Sequence, residues 1–514
     1  MLLNIVENCN NYKQLFFRTY IVLLTFDLVA VSWLSLSGFR ENADRFLIFA
    51  GLLTLILHPV YLTFPFFAYN FLKRNLNPKR FPDFHLIYFP ISLIAYEYIS
   101  CRSEISFPWL LAGNSFTTNL DKIQFIEYTG VYGISLWIII ISTLIYYVFK
   151  NLKQDYSKLR SRKVIITILL ITILYILPNF FTKIIINRKN YQQSDEITTT
   201  IIQPNINPWH KWEEHPYKLV SDYTDLIRDA VKNRKTTDLI ILPETAFTFS
   251  LLYPFYEDKY ELVQNLCDSI NVPVLSGTSD IKVYMDSTQA RPDSKKFKSN
   301  GLYYDDFNSS ILIEPHKDKS LIQKYAKIKL VIGSERMPYQ EKLTFLKDLI
   351  SWSVGLSSYS TGRDTTIFIL KDKYKFNTAI CYESIYPEFF SRFIDKGAEF
   401  SVIITNDGWW GKLSGTYQHN QFAILRAIEN RRWIVRCANT GISDIIDPYG
   451  NMNDKTPVNE KAEFTDKIGI INEKTFYTKH GDIIWQFETY LILILLFSGI
   501  VIKIYKSLNS GNHK

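Results

Sequence analysis

Apolar runs of bilayer-crossing length constrain this chain more than any other feature. Five lie within residues 1–190, at Phe16–Leu36, Phe46–Leu72, Phe84–Ser100, Gln124–Phe149 and Val164–Phe181, and a sixth follows at Ile483–Ile504. Each approaches or exceeds the roughly 17–25 residues that a helix needs to cross hydrocarbon. Between the fifth and the sixth, residues 191–480 have the composition of a water-facing protein. The mean hydropathy of −0.03 over 514 residues therefore averages two unlike populations. That division excludes both a single soluble enzyme and a pure many-helix transporter. Three parts are expected: a membrane domain at 1–190, a soluble domain at 191–480, and a final span with a short tail at 481–514.

Charge placement gives an orientation. Lys13 and Arg18 precede the first run, and Lys73, Arg74, Lys79 and Arg80 separate the second from the third. Lys150, Lys153, Lys158, Arg160, Arg162 and Lys163 separate the fourth from the fifth, and Lys503, Lys506 and Lys514 follow the sixth. The alternate connections are sign-balanced, with Arg40, Glu41, Asp44 and Arg45 in one and Arg102, Glu104, Asp121 and Lys122 in the other. Positive charge gathers on the cytoplasmic side of spanning helices, so both termini are expected there and 191–480 on the opposite face. The net charge of +8 thus reads as topology and not as a nucleic-acid footprint. The first run lacks a small-residue cleavage site and is expected to stay as an anchor. Asp27, Glu97 and Glu127 fall in or beside the runs and are expected to be interfacial or helix-paired.

Five scattered cysteines, with no CxxC and no Cys/His pair at zinc spacing, give neither a disulfide framework nor a metal site. No phosphate-binding glycine loop occurs, so no cofactor is expected.

Residues 195–475 alternate β-rich runs with helix-like stretches, which predicts an α/β domain. Strands are expected at Ile197–Gln203, Leu239–Leu242, Val272–Ser276, Ser309–Ile313, Thr366–Leu370, Thr378–Cys381, Phe400–Thr405 and Trp433–Cys437. Helices are expected at Trp212–Lys232, Lys259–Ile270, Tyr386–Lys396 and Thr416–Asn430. Sites in such domains form at strand ends. One strand ends on Glu244, a second on Cys381 with Glu383 two residues later, and a third in the turn Asn406-Asp-Gly-Trp409-Trp-Gly. A thiol there can attack a carbonyl if a base such as Glu244 takes its proton and a cation holds the oxyanion. The plainer alternative is a small core cysteine and a capping carboxylate. Cys437 is a poorer nucleophile, mid-strand and apolar, and His419 reads as a packing or hydrogen-bonding residue.

The soluble domain resembles the nitrilase, or carbon–nitrogen hydrolase, superfamily, whose Glu–Lys–Cys triad falls in that chain order. Glu244 stands in Leu-Pro-Glu-Thr-Ala, Cys381 in Ile-Cys-Tyr-Glu, and Lys327 in Tyr325-Ala-Lys-Ile-Lys-Leu-Val. Within the superfamily the chain is similar to the apolipoprotein N-acyltransferases. Gln203-Pro-Asn-Ile with Lys211-Trp212, Phe107-Pro-Trp109-Leu, Gln418-His419, Arg426-Ala-x-Glu429-x-x-Arg432, Asn439-Thr-Gly441-Ile and Thr475-Phe-Tyr-x-x-x-Gly481-Asp482 carry that likeness. Two departures stand out. The resemblance implies seven spans before the soluble domain, so the chain is expected to lack the first two. After Lys327 the family reads Leu-Val-Pro-Phe-Gly-Glu, whereas here it is Leu330-Val-Ile332-Gly333-Ser334-Glu335.

The resemblance implies an α-helical membrane bundle plus an α-β-β-α sandwich inserted before the last span. It implies that Glu244 deprotonates Cys381, which takes an acyl chain from a membrane phospholipid as a thioester. Lys327 and the backbone N–H of Tyr382 would hold the oxyanion. The α-amine of a diacylglyceryl-modified N-terminal cysteine on an apolipoprotein would then accept the chain, at the periplasmic side of a bacterial inner membrane. Glu335, Glu383 and Tyr382 are implied as supporting residues, and Trp212 and Trp409 as substrate-binding ones. Phe107, Trp109 and Leu349–Leu356 are expected as interfacial elements. The alternatives are a membrane-tethered amidase, in which water resolves the thioester, and a non-enzymatic scaffold on a decayed fold.

Overall fold

The computed structural model describes residues 2–78, 80–187, 191, 193–232, 236–342 and 359–511. Leu349–Leu356, Lys79 and Lys514 lie outside the described residues. The chain divides into two compact units, one of residues 1–35, 49–189 and 480–514, the other of 36–48 and 190–479. Leu36–Ile48, which chain order places between the first two apolar runs, thus belongs to the second unit.

In the first unit the apolar runs are helical. Among the described residues four helices are long and apolar enough to cross a membrane: Phe46–Leu76, Val131–Gln154, Arg162–Asn187 and Ile483–Asn509. Tyr12–Ala30 and Trp33–Phe39, bent by 46°, make a fifth if taken as one span. The expected third span, Phe84–Ser100, is helical throughout, a 3-10 turn at Phe84–Ile87 leading into a 13-residue α-helix, Tyr88–Ser100. Pro90 sits in the first turn of that helix, and its ring would clash with an α-helical carbonyl four residues back, so the α-helix does not extend toward Phe84. Among the described residues, four such helices, or five with the bent pair, stand against the six runs expected. The carboxylates in these runs are partnered: Asp27 Oδ2 lies 2.8 Å from His58 Nδ1, and Glu97 accepts from the Ala112 N–H at 2.8 Å. Trp109 is 3% exposed and packs against Trp33 at 5.0 Å, so it is an interior residue of its unit and not an exposed interfacial ring.

The second unit is built on two sheets. The first contains β1 (Asp195–Gln203), β2 (Leu239–Ile241), β3 (Phe247–Ser250), β4 (Val274–Tyr284), β5 (Lys295–Lys296), β6 (Tyr303–Ile313), β7 (Gln323–Ala326) and β14, named here with its range Ala462–Ile470. Their order is β14-β1-β2-β4-β6-β5, with β3 beside β4 and β7 beside β6. The second sheet contains β8 (Phe368–Leu370), β9 (Tyr374–Ile380), β10 (Phe400–Thr405), β11 (Ile434–Ala438), β12 (Asp444–Ile446) and β13 (Met452–Asn453), in the order β13-β12-β11-β10-β9-β8. The sheets face each other: β1 touches β11, and the Cys437 thiol lies 3.4 Å from the carbonyls of Ile202 and Ile241 across the interface.

Helices Pro216–Lys232 and Glu257–Ile270 cover the first sheet, and Pro387–Asp395 and Ser414–Asn430 the second. This is the α-β-β-α sandwich of the nitrilase fold. Helix Glu257–Ile270 stops at Asn271 and Ser414–Asn430 at Arg431, both left-handed at φ 52° and 48°. Strands 9 to 11 run parallel and are entirely apolar-faced or hydrogen-bonded inside, so they read clearly in sequence. β14 escapes such a reading because only its last three residues are buried, leaving a sheet-edge strand with mixed polarity.

Candidate active site

Three parallel strands of the two sheets deliver the polar residues. Glu244 stands three residues beyond β2, Cys381 directly after β9, and Asp407 two residues after β10. Cys381 adopts φ +52° and Thr245, next to Glu244, φ +47°. Non-glycine residues in this region carry strain of order 1–3 kcal/mol, which the surrounding packing must over-determine. Cys381 thereby turns off the strand into a 3-10 helix, Cys381–Ile385, instead of continuing in the sheet.

Lys327 follows β7, the edge strand paired to β6, and its N–H donates to the Asn308 carbonyl at 2.8 Å. Its fully buried Nζ donates to Glu244 Oε1 at 3.1 Å and to Glu335 Oε1 at 2.9 Å. Burial alone would pull this ammonium down, but the charges of Glu244, Glu335 and Cys381 outweigh it and hold Lys327 well above the usual lysine range. It stays a cation. The replaced loop still brings Glu335 to this place. Gly333 takes φ +80°, which a side chain would strain, and the Glu335 N–H closes the turn on the Val331 carbonyl at 3.0 Å. Glu335 Oε2 accepts in return from the Val331 N–H at 2.7 Å.

The Cys381 thiol is buried and pushed well above its ordinary pKa, first by desolvation and then by the charges of Glu244 and Asp407, with Lys327 and a hydrogen bond to Thr405 acting against them. It rests as a neutral thiol, so attack requires a base, and Glu244 is the carboxylate whose charge reaches it most strongly. Glu383 plays another part. Its Oε1 accepts from Tyr325 Oη at 2.6 Å and from the N–H groups of Ile328 and Lys329 at 2.7 and 3.1 Å, and its Oε2 accepts from the Ile380 N–H at 2.8 Å. One side chain therefore ties the Lys327 loop to the end of β9. Tyr382 is buried against Tyr386, ring centroids 5.5 Å apart. Trp409 packs edge-on to Trp209 at 4.7 Å, while Trp212 is 44% exposed.

Sequence reasoning missed several residues of this cluster. Asn308 Nδ2 donates to both Glu244 and Glu335, at 2.7 and 3.0 Å. Its strand, Tyr303–Ile313, also carries Asp305, Asp306, Ser309 and Ser310, so nothing local singled Asn308 out. Lys211, fully buried, donates from Nζ to the Glu244 carbonyl at 3.3 Å. Behind Cys381, Asp407 joins Arg436 Nη2 at 2.6 Å and His419 Nδ1 at 2.7 Å, and His419 Nε2 lies 3.2 Å from the Cys381 carbonyl. Burial opposes ionisation of Asp407, yet Arg436 and His419 hold it well below the carboxylate range. Cys381, Asp407 and His419 bring metal-ligand donors within 4.8 Å of one another. A divalent ion there would have to displace the Arg436 guanidinium from Asp407, so this donor set suits an ion pair better than a metal.

The carbon–nitrogen hydrolase family model matches residues 198–462, and the model of the apolipoprotein N-acyltransferase N-terminal domain matches residues 1–144. An apolipoprotein N-acyltransferase of Chlorobaculum tepidum is 29% identical over 485 residues, covering 93% of this chain and 86% of that one. One of Rickettsia typhi is 30% identical over 419 residues, covering 80% and 76%. One of Thermotoga maritima is 23% identical over 499 residues, covering 96% and 86%.

Proposed function

This chain belongs to the apolipoprotein N-acyltransferases of the carbon–nitrogen hydrolase family, acyltransferases of lipoprotein maturation, and from that premise we propose that Cys381, Glu244 and Lys327 carry its chemistry. Glu244 accepts the thiol proton as Cys381 Sγ attacks an ester carbonyl of a membrane phospholipid. Lys327, with the backbone N–H of Tyr382, holds the oxyanion. Collapse breaks the ester C–O bond, Glu244 returns the proton to the departing lysophospholipid alcohol, and a thioester remains on Cys381. The α-amine of a diacylglyceryl-cysteine at an apolipoprotein N-terminus attacks that thioester. Glu244 takes the amine proton and returns it to the thiol, and an amide is formed. Two half-reactions on one nucleophile give ping-pong kinetics.

Glu335 keeps Lys327 charged and aimed, Glu383 fixes the Lys327 loop against the nucleophile, and Trp212 and Trp409 contact substrate. The membrane is the bacterial inner membrane. The basic alternate loops support cytoplasmic termini and a periplasmic second unit.

One observation carries the reading: a buried ammonium clasped by two carboxylates, whose charge acts on a thiol held at a strained strand end. The test is mass spectrometry of a lipoprotein N-terminus after incubation with phospholipid and the full-length protein. The triacyl form should appear with the wild type and be absent with Cys381→Ala. An unchanged diacyl form, with free fatty acid released, would assign water as the acceptor and overturn the reading.

A further inference from the structure

Arg40 lies on Leu36–Ile48, the segment that belongs to the second unit. Its Nη1 donates to the Gly408 carbonyl at 2.6 Å, and its guanidinium is half-buried against the turn that follows β10. The seat is close. A Cβ on Gly411 would come within 2.4 Å of Arg40 Cζ, so the backbone approaches the guanidinium as only a glycine allows. Lys412, the next residue, is exposed. Among the described residues neither cation has a carboxylate partner. Glu41 and Asp44, on the same segment as Arg40, form no ion pair with it, and Asp44 instead accepts from the Phe46 N–H at 2.8 Å. A half-buried guanidinium spending one N–H on a carbonyl has a fork of further donors to offer, and that fork matches a phosphate.

The turn is also in the right place. It begins at Asp407, which together with His419 brings a donor atom within 4.8 Å of the Cys381 donor. In a glycerophospholipid the acyl esters and the phosphodiester are carried by the same three-carbon glycerol backbone. A donor with its ester at Cys381 therefore has its negative charge a short distance away, where an unpaired cation lowers the cost of placing it.

We propose that Arg40, assisted by Lys412, is the phosphodiester-binding residue of the acyl-donor subsite. The inference rests on the acyltransfer reading and adds to it the residue that recognises the donor's charge.

The test uses full-length protein in neutral detergent micelles and follows thioester formation on Cys381 by intact-mass spectrometry. Two acyl donors are compared: phosphatidylglycerol and an uncharged p-nitrophenyl fatty-acyl ester. Arg40→Gln should raise the half-saturating phosphatidylglycerol concentration roughly tenfold or more while leaving its maximal rate and the uncharged ester largely unaffected. Lys412→Gln, at an exposed position, should cost about two- to threefold. Arg40→Lys should recover part of the loss, since it keeps the charge without the fork. Equal losses on both donors would mean that Arg40 only holds the turn, and no loss on either would mean that it binds nothing; both overturn the proposal. Glycerol phosphate competing as well as the lipid does would assign the cations to a soluble phosphate ester and overturn it as well. A wild type that forms no thioester from phosphatidylglycerol but does so from the uncharged ester would instead strike the phospholipid reading on which the proposal stands.

Discussion

Asn308 Nδ2 lies 2.7 Å from Glu244 Oε1, and the same amide reaches Glu335 Oε1 at 3.0 Å. A neutral side chain thus supplies hydrogen-bond donors to both carboxylates that clasp Lys327. It fixes where Glu244 points without adding a charge that would compete with the lysine. Hydrogen bonds to ionised groups contribute about 1.5–3 kcal/mol, so Asn308→Ala should slow single-turnover thioester formation by roughly 10–100-fold. Asn308→Asp should slow it further, because a third carboxylate would face the other two. The measurement is pre-steady-state acylation with a saturating donor, and an unchanged rate in Asn308→Ala would remove Asn308 from the site.

Glu335→Gln tests the second half of the clasp by pH. Burial pulls the Lys327 ammonium down, and the two carboxylates together push it well above the ordinary lysine value. Neutralising one of them stabilises the cation less, so the proton leaves at lower pH. The alkaline limb of the acylation profile should move toward neutral pH in Glu335→Gln, with the acid limb less affected. A parallel drop at every pH would mean that Glu335 acts only on geometry.

Glu244 and Cys381 were legible in sequence because each ends an apolar, parallel, buried strand, and such strands advertise both their length and their end. Lys327 was not legible in the same way. The strand before it, Gln323–Ala326, is short and at the sheet edge, with a single fully buried residue. Its residue type is shared with its close neighbours Lys324 and Lys329, so only the family's sequence frame selected it. Asn308 and Lys211 act through long-range hydrogen bonds that leave no local periodicity, and the Asp407–Arg436 pair joins the turn after β10 to strand β11. The third apolar run shows in its composition, but the place where its 3-10 turn gives way to α-helix is set by Pro90 and not by apolar pattern.

Asp407 and Arg436 are both fully buried with Oδ2 and Nη2 2.6 Å apart. Asp407→Asn would leave the guanidinium without its counter-charge, at a cost of about 3–5 kcal/mol. The melting midpoint should fall by roughly 10 °C, measured by thermal unfolding in detergent. The acid dependence has a definite sign. Because the folded-state pKa of Asp407 is depressed, its contribution is present above the ordinary aspartate value of about 4 and is lost as pH falls below it. The gap between wild type and variant should therefore hold at neutral pH and close only in strong acid. A midpoint unchanged by the substitution would show that the pair contributes nothing net.

Lys211 gives the opposite slope. It is 0% exposed, and burial brings its pKa down to about 7, with the Glu244 charge opposing that shift in part. In the unfolded chain a lysine titrates near pH 10.4. Between about 7 and 10.4 the unfolded state holds a proton that the folded state has given up, so folding becomes more favourable as pH rises through that window. Below about pH 7 the folded protein carries the whole penalty of a buried ammonium. Lys211→Met removes the charge and keeps most of the volume. The variant should melt above the wild type near pH 6, and the difference should shrink steadily toward pH 10. A difference that is constant with pH would show that Lys211 is not desolvated in solution as it is in the fold.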